Sequence, residues 1–135
     1  MGLIKTLILY FSTAAVFFAI DLVWLRLMNS RFYKIQLAGL MSDKVNWLPA
    51  LLFYLLFIVG LLFLVVLPAV DQGSWLRAML LGGLLGMVAY ATYDLTNLAT
   101  FKNWPVLVTI VDISWGATVS AIVATISYFI AKALG

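Results

Sequence analysis

Four apolar runs, at approximately residues 3–27, 47–70, 75–100 and 105–132, occupy almost all of this 135-residue chain. About 20 consecutive apolar residues in a helix cross the hydrocarbon of a bilayer. Hydrocarbon supplies no partner for a backbone N–H or C=O, so each run must close its own hydrogen bonds as a helix. Two thirds of the residues are apolar and a tenth are charged, which leaves almost nothing for a soluble domain. The expected fold is therefore all-α: a single transmembrane domain, residues 1–135, built as a four-helix up-down bundle.

The local signals agree with that division. The first run could be mistaken for a secretory signal, but it is too long, and Asp21, Trp24 and Arg26 are unlike a small-residue cleavage region, so an uncleaved helix is expected. Pro49 falls in the first turn of the second run and Pro68 near its end, where proline is tolerated. Trp47, Trp75 and Trp104 mark water interfaces, as aromatic belts do. Asn103 or Trp104 is the expected cap of the fourth helix. The connection Asn29–Asn46 is the only long one, and its stretch Ser30–Leu40 mixes Arg31 and Lys34 with Phe32, Tyr33, Ile35 and Leu37, the pattern of a short interfacial helix after the first span. The other two connections, Asp71–Ser74 and Phe101–Asn103, are tight enough to make consecutive spans antiparallel neighbours.

The residue types that are missing narrow the chemistry. There is no cysteine, histidine or glutamate, which excludes disulfides, thiolate catalysis, soft-metal sites and the commonest proton shuttle. The net charge of +3 is spread over the connections, as interfacial anchors, with no basic cluster for nucleic acid. Lys5, Arg77 and Lys132 lie on the face that holds the termini; Arg26, Arg31, Lys34, Lys44 and Lys102 lie on the other. That bias puts the long connection in the cytoplasm and both termini outside.

Three of the five acidic residues, Asp21, Asp94 and Asp112, fall inside the apolar runs, where an ionisable side chain is costly and points to function. Asp94 lies nine residues before Asn103 and Asp112 nine after it, so the hairpin places both at one depth, roughly 10 Å below the interface at about 1.5 Å per residue. Asp21, near the end of the first span, and Tyr54, near the start of the second, come to the same level. At about 100° per residue, Gly82, Gly83, Gly86, Tyr90, Tyr93, Asp94 and Asn97 share one face of the third helix. Thr109, Asp112, Trp115, Gly116 and Ser120 share one face of the fourth, with Gly116 and Ser120 at the spacing that lets membrane helices approach closely. Asp21 shares its face with Phe17, Trp24 and Met28. Arg26 lies about 140° away and snorkels to headgroups or pairs across to another helix rather than neutralising Asp21.

Three bare carboxylates cannot sit together in low dielectric. Some are protonated, or a cation sits among them, or water and a basic group reach in. With only oxygen ligands, a metal here would be a hard cation such as magnesium, calcium or sodium. The expected binding residues are Asp21, Asp94, Asp112, Asn97, Tyr54, Tyr90, Tyr93, Trp24 and Trp115. The bland readings stand beside this one: interhelical polar glue for Asp94 with its neighbours, and ordinary aromatic packing for Trp24, Tyr54, Tyr90 and Trp115. Three functional classes stay open. The first is a polar pocket that binds a proton, a cation or a cationic small molecule for transport, exchange or sensing, with a homo-oligomer needed for conduction. The second is a membrane-embedded enzyme using paired aspartates on a lipid or other apolar substrate. The third is an accessory subunit whose acids pair with a partner helix.

Five segments, Asp21-Leu-Val-Trp24, Pro49 to Tyr54, Ala89 to Thr100, Asn103-Trp-Pro105 and Asp112-Ile-Ser-Trp-Gly116, together resemble a family of small bacterial membrane proteins described only as a domain of unknown function. The resemblance covers essentially the whole chain, and the Tyr-Asp-Leu-Thr-Asn and Asp-x-x-Trp-Gly segments are its most specific parts. It implies a four-span protein of the bacterial inner membrane and supplies no activity.

Overall fold

A computed structural model of the chain describes residues 1–42 and 44–135. Among the described residues four helices are long and apolar enough to cross a membrane: α1 (Leu3–Gln36), α2 (Trp47–Asp71), α3 (Trp75–Thr100) and α4 (Val106–Leu134). The described residues contain no strand, and the all-helical bundle expected from the apolar runs is present. Most side chains on the outer faces are large and apolar and exposed, for example Leu3, Ile4, Leu56, Leu64 and Ile110. These are the surfaces that meet lipid.

Helix ends follow local chemistry. Asn46 caps α2 by accepting the Leu48 N–H at 3.3 Å, and Ser74 caps α3 by accepting the Arg77 N–H at 3.1 Å. The α2–α3 turn closes on Gly73, whose φ of +65° suits glycine. The Ser74 N–H returns to the Ala69 carbonyl and the Gly73 N–H to that of Val70, both at 3.0 Å, which satisfies two terminal carbonyls of α2. At the α3–α4 turn neither Asn103 nor Trp104 caps the helix. The residue before α4 is Pro105 in extended geometry, and Asn103 instead takes a φ of 64°. Asparagine tolerates that left-handed conformation, so it turns the chain rather than capping it.

Two helices are interrupted by wide turns. In α2, over Leu61–Val66, the Leu67 N–H reaches back five residues to the Leu62 carbonyl. This turn lies directly before Pro68, whose ring crowds the preceding turn and which has no N–H to give. In α1, over Asn29–Tyr33, the Lys34 N–H reaches back to the Asn29 carbonyl. The helix expected after the first span is thus present, but it continues α1 through this turn rather than forming a separate element.

The helix α4 packs against all three others, and α2 bridges α1 and α3. The closest pairing is α3 with α4. A Cβ added to Gly86 would overlap the Gly116 carbonyl and the Ser120 side chain, and one added to Gly82 would crowd Ala124. The glycine face read from the sequence is therefore the contact face. The half of the bundle nearer the termini is filled by Leu9, Phe17, Ile58, Leu61, Leu62, Val66, Val119 and Val123, all 1% exposed or less. Its buried polar pair is Thr13 and Ser127, whose hydroxyls bond each other at 2.8 Å. The other half holds the aspartates.

Candidate functional site

Asp21 is 4% exposed, and both its oxygens accept hydrogen bonds. Tyr54 of α2 donates its hydroxyl to Oδ2, and Trp115 of α4 donates its indole N–H to Oδ1 at 2.9 Å. Asp21 thus has a donor on each oxygen, and it ties three helices together.

Asp94 has the opposite environment. It is fully buried, and neither of its oxygens has a hydrogen-bond donor. Its carboxyl and that of Asp112 on α4 line the same cavity. A bond between two carboxyls requires a proton on one of them, and two bare anions so placed would repel strongly. Asp112 is only half-buried, and its Oδ1 accepts the Tyr33 hydroxyl at 2.8 Å. Asp94 and Asp112 both line a cavity of about 210 Å³, whose other walls include Leu25, Asn29, Tyr33 and Leu37 of α1 and its extension, together with Met41, Tyr93, Trp104 and Val108. The indole N–H of Trp104 is also buried without an acceptor.

An aromatic stack joins the two carboxyl environments. Trp24 and Trp115 lie parallel, with ring centroids 4.2 Å apart and planes 5° off parallel. Trp115 donates to Asp21, while Trp24 donates its N–H to the Tyr33 hydroxyl at 3.1 Å, and Tyr33 in turn donates to Asp112. Tryptophan N–H groups donate only. The stack therefore fixes the geometry of both sites and does not hand protons from one to the other.

The expectation of one acidic centre shared by all three aspartates is corrected by this geometry. Among the described residues no three acidic side chains gather as metal ligands do. Asp94 and Asp112 line one cavity, while Asp21 is not among its walls and takes its two donors from Tyr54 and Trp115. Of the other expected residues, Trp24 joins the Tyr33–Asp112 side, Tyr54 and Trp115 join Asp21, and Tyr93, 59% exposed, forms the outer rim of the cavity. Asn97 lines a neighbouring recess with Leu40, Tyr93, Phe101 and Trp104. Tyr90 lines neither; its ring covers Gly116, where a Cβ would collide with it.

Sequence reasoning missed Tyr33 and the cavity role of Trp104. Tyr33 is 12 residues beyond Asp21, about 120° around a regular helix. The wide turn at Asn29–Tyr33 absorbs one residue and brings Tyr33 back to within about 20° of the Asp21 face. Asn103-Trp-Pro is the one signal that could have flagged Trp104, since a tight turn carries that ring back over the helix pair.

No curated protein and no solved structure matches this chain. The family model described as "Predicted membrane protein (DUF2177)" matches residues 6–129. With the match running over nearly the full length and across all four membrane-spanning helices, the chain belongs to that family of integral membrane proteins.

Proposed function

We propose that this protein binds an exchangeable proton on the Asp94–Asp112 pair, from one side of the membrane only, and uses it for exchange or sensing. The observation that carries the reading is Asp94 itself: a fully buried carboxyl whose oxygens meet no donor and which lines one cavity with a second carboxyl. Interhelical glue would not need such a group, because asparagine could bond Asp112 without a proton. A hard cation that replaces the proton fits the same oxygens. The burial of Asp21 and Asp94 counts against an accessory role in which acids face a partner helix.

One-sidedness follows from the packing. The cavity lies in the half of the bundle with the long connection, and beyond it the interior is filled mainly by aliphatic and aromatic side chains, with the Thr13–Ser127 pair among them. Among the described residues the buried hydroxyls in that packing, Ser120 and the Thr13–Ser127 pair, make no hydrogen bond to Asp94 or Asp112, which supports binding rather than conduction by one copy of the bundle. The charge bias assigns the cavity side to the cytoplasm.

Infrared difference spectroscopy of the purified protein across a pH titration tests this reading. The band of a protonated carboxyl should be present in the wild type near neutral pH and lost in Asp94→Asn, with Asp21→Asn leaving it in place. If wild type and Asp94→Asn give the same spectra, and neither pH nor sodium, magnesium or calcium alters their thermal stability differently, the proposal fails.

A further inference from the structure

Resting on the reading of Asp94 and Asp112 as a proton-sharing pair, we infer that their cavity takes a small uncharged molecule bearing a hydroxyl or primary amide, which donates to Asp94 and accepts from the Trp104 indole. Two residues that line this cavity, Asp94 and Trp104, carry buried polar groups of opposite polarity without a partner. A shared proton with Asp112 engages one oxygen of Asp94, and the other oxygen still has no donor. The Trp104 N–H still has no acceptor. Buried polar groups are rarely left in that state. A bare cation would serve the carboxyl and leave the indole unpaired. A proton does the same. Only a group that donates and accepts answers both, and hydroxyls and primary amides are the common ones.

Size and wall chemistry narrow the class further. The cavity of about 210 Å³ is smaller than the ~300–1,000 Å³ typical of sites for drug-sized ligands. It has space for one small solute or for several waters at about 30 Å³ each. Leu25, Leu37, Met41 and Val108 give it an apolar wall, which suits a short carbon skeleton beside the polar group. Among the described residues no cationic side chain lines it, which disfavours an anionic ligand. The hydroxyl could arrive on a water-soluble molecule or on a lipid such as a monoacylglycerol, whose single chain would leave along the exposed face beside Tyr93.

The test follows the Trp104 indole N–H resonance in nitrogen-15-labelled protein in detergent micelles, assigned by its loss in Trp104→Phe. The probes are 1,2-propanediol, acetamide, a monoacylglycerol and sodium chloride. A saturable shift of that resonance by a diol, amide or monoacylglycerol is expected, weakened at least tenfold in apparent affinity in Asp94→Leu. The diol or acetamide responding without the lipid identifies a soluble ligand, and the lipid alone responding identifies a membrane ligand; both support the inference. A shift produced by sodium only, or by no probe at all, overturns it, the latter meaning that water alone fills the cavity. The infrared band lost in Asp94→Asn is read on the same samples, so the proton pair can stand where the ligand class falls, and the reverse is also visible.

Discussion

Single side chains divide the three intramembrane aspartates into two chemical kinds. Asp21 has a donor on each oxygen, so removing either donor leaves a buried carboxylate short of one bond. Tyr54→Phe and Trp115→Phe are each expected to destabilise the protein by about 1–2 kcal/mol, measured by denaturation in detergent, within the range for hydrogen bonds to charged groups and for polar contacts between membrane helices. Asp94→Asn is expected to behave differently and fold with little loss, because the amide can donate to Asp112 without a proton. An Asp94→Asn protein as unstable as Tyr54→Phe would show that the pair is not joined in this way. Tyr33 sits between the two kinds. It accepts from Trp24 and donates to Asp112, so Tyr33→Phe should cost about 1 kcal/mol and blue-shift or broaden the tryptophan emission as the Trp24 N–H loses its acceptor.

At the level of helices, the glycines of the spans separate into those that are contact surfaces, as in α3, and those that are not, as in α2. A methyl group at 86 would meet backbone on α4, which cannot rotate away, so Gly86→Ala should destabilise by about 1–3 kcal/mol. Gly60 has nothing within 4 Å of an added Cβ, and Gly60→Ala should be neutral or stabilise by up to ~1 kcal/mol through helix propensity. Equal effects at the two positions, measured in the same detergent series, would contradict the packing described. The wide turn at Asn29–Tyr33 is the second determinant at this scale. Its function is rotational, since it returns Tyr33 to the face that carries Asp21, and with it Leu37 and the wall of the cavity. Deleting one residue from this turn is expected to restore regular helix while keeping Tyr33 on the same face, leaving the Tyr33–Asp112 bond largely intact.

Across the whole molecule the polar and apolar halves define a direction. Because the chain contains no cysteine, single cysteines report access without a background. In reconstituted vesicles, Leu37→Cys and Met41→Cys, at the cavity wall, are expected to react with a membrane-impermeant thiol reagent from one side only. Val123→Cys, fully buried in the apolar half, should react from neither. Labelling of Val123→Cys at a rate near that of Met41→Cys would mean a continuous aqueous path and would remove the case for a one-sided site. Which side labels also tests the charge bias that places the long connection in the cytoplasm.

The amino-acid sequence by itself determined the class and the number of spans, because hydrocarbon permits one backbone solution for apolar runs of this length. It determined the facing of α3 and α4 as well, since regular helical periodicity puts Gly82, Gly86 and Asp94 on one stripe and Asp112, Gly116 and Ser120 on another. What tertiary structure decided was the partnership of the acids. Depth along a helix is a local property that residue counting recovers, and all three aspartates do lie in one half of the bundle. Partnership across helices depends on which side chains meet, and here Asp21 takes its donors from Tyr54 and Trp115 while Asp94 and Asp112 line the cavity. Tyr33 and Trp104 joined the site for a related reason: a wide turn and a left-handed asparagine each break the regular geometry that counting assumes.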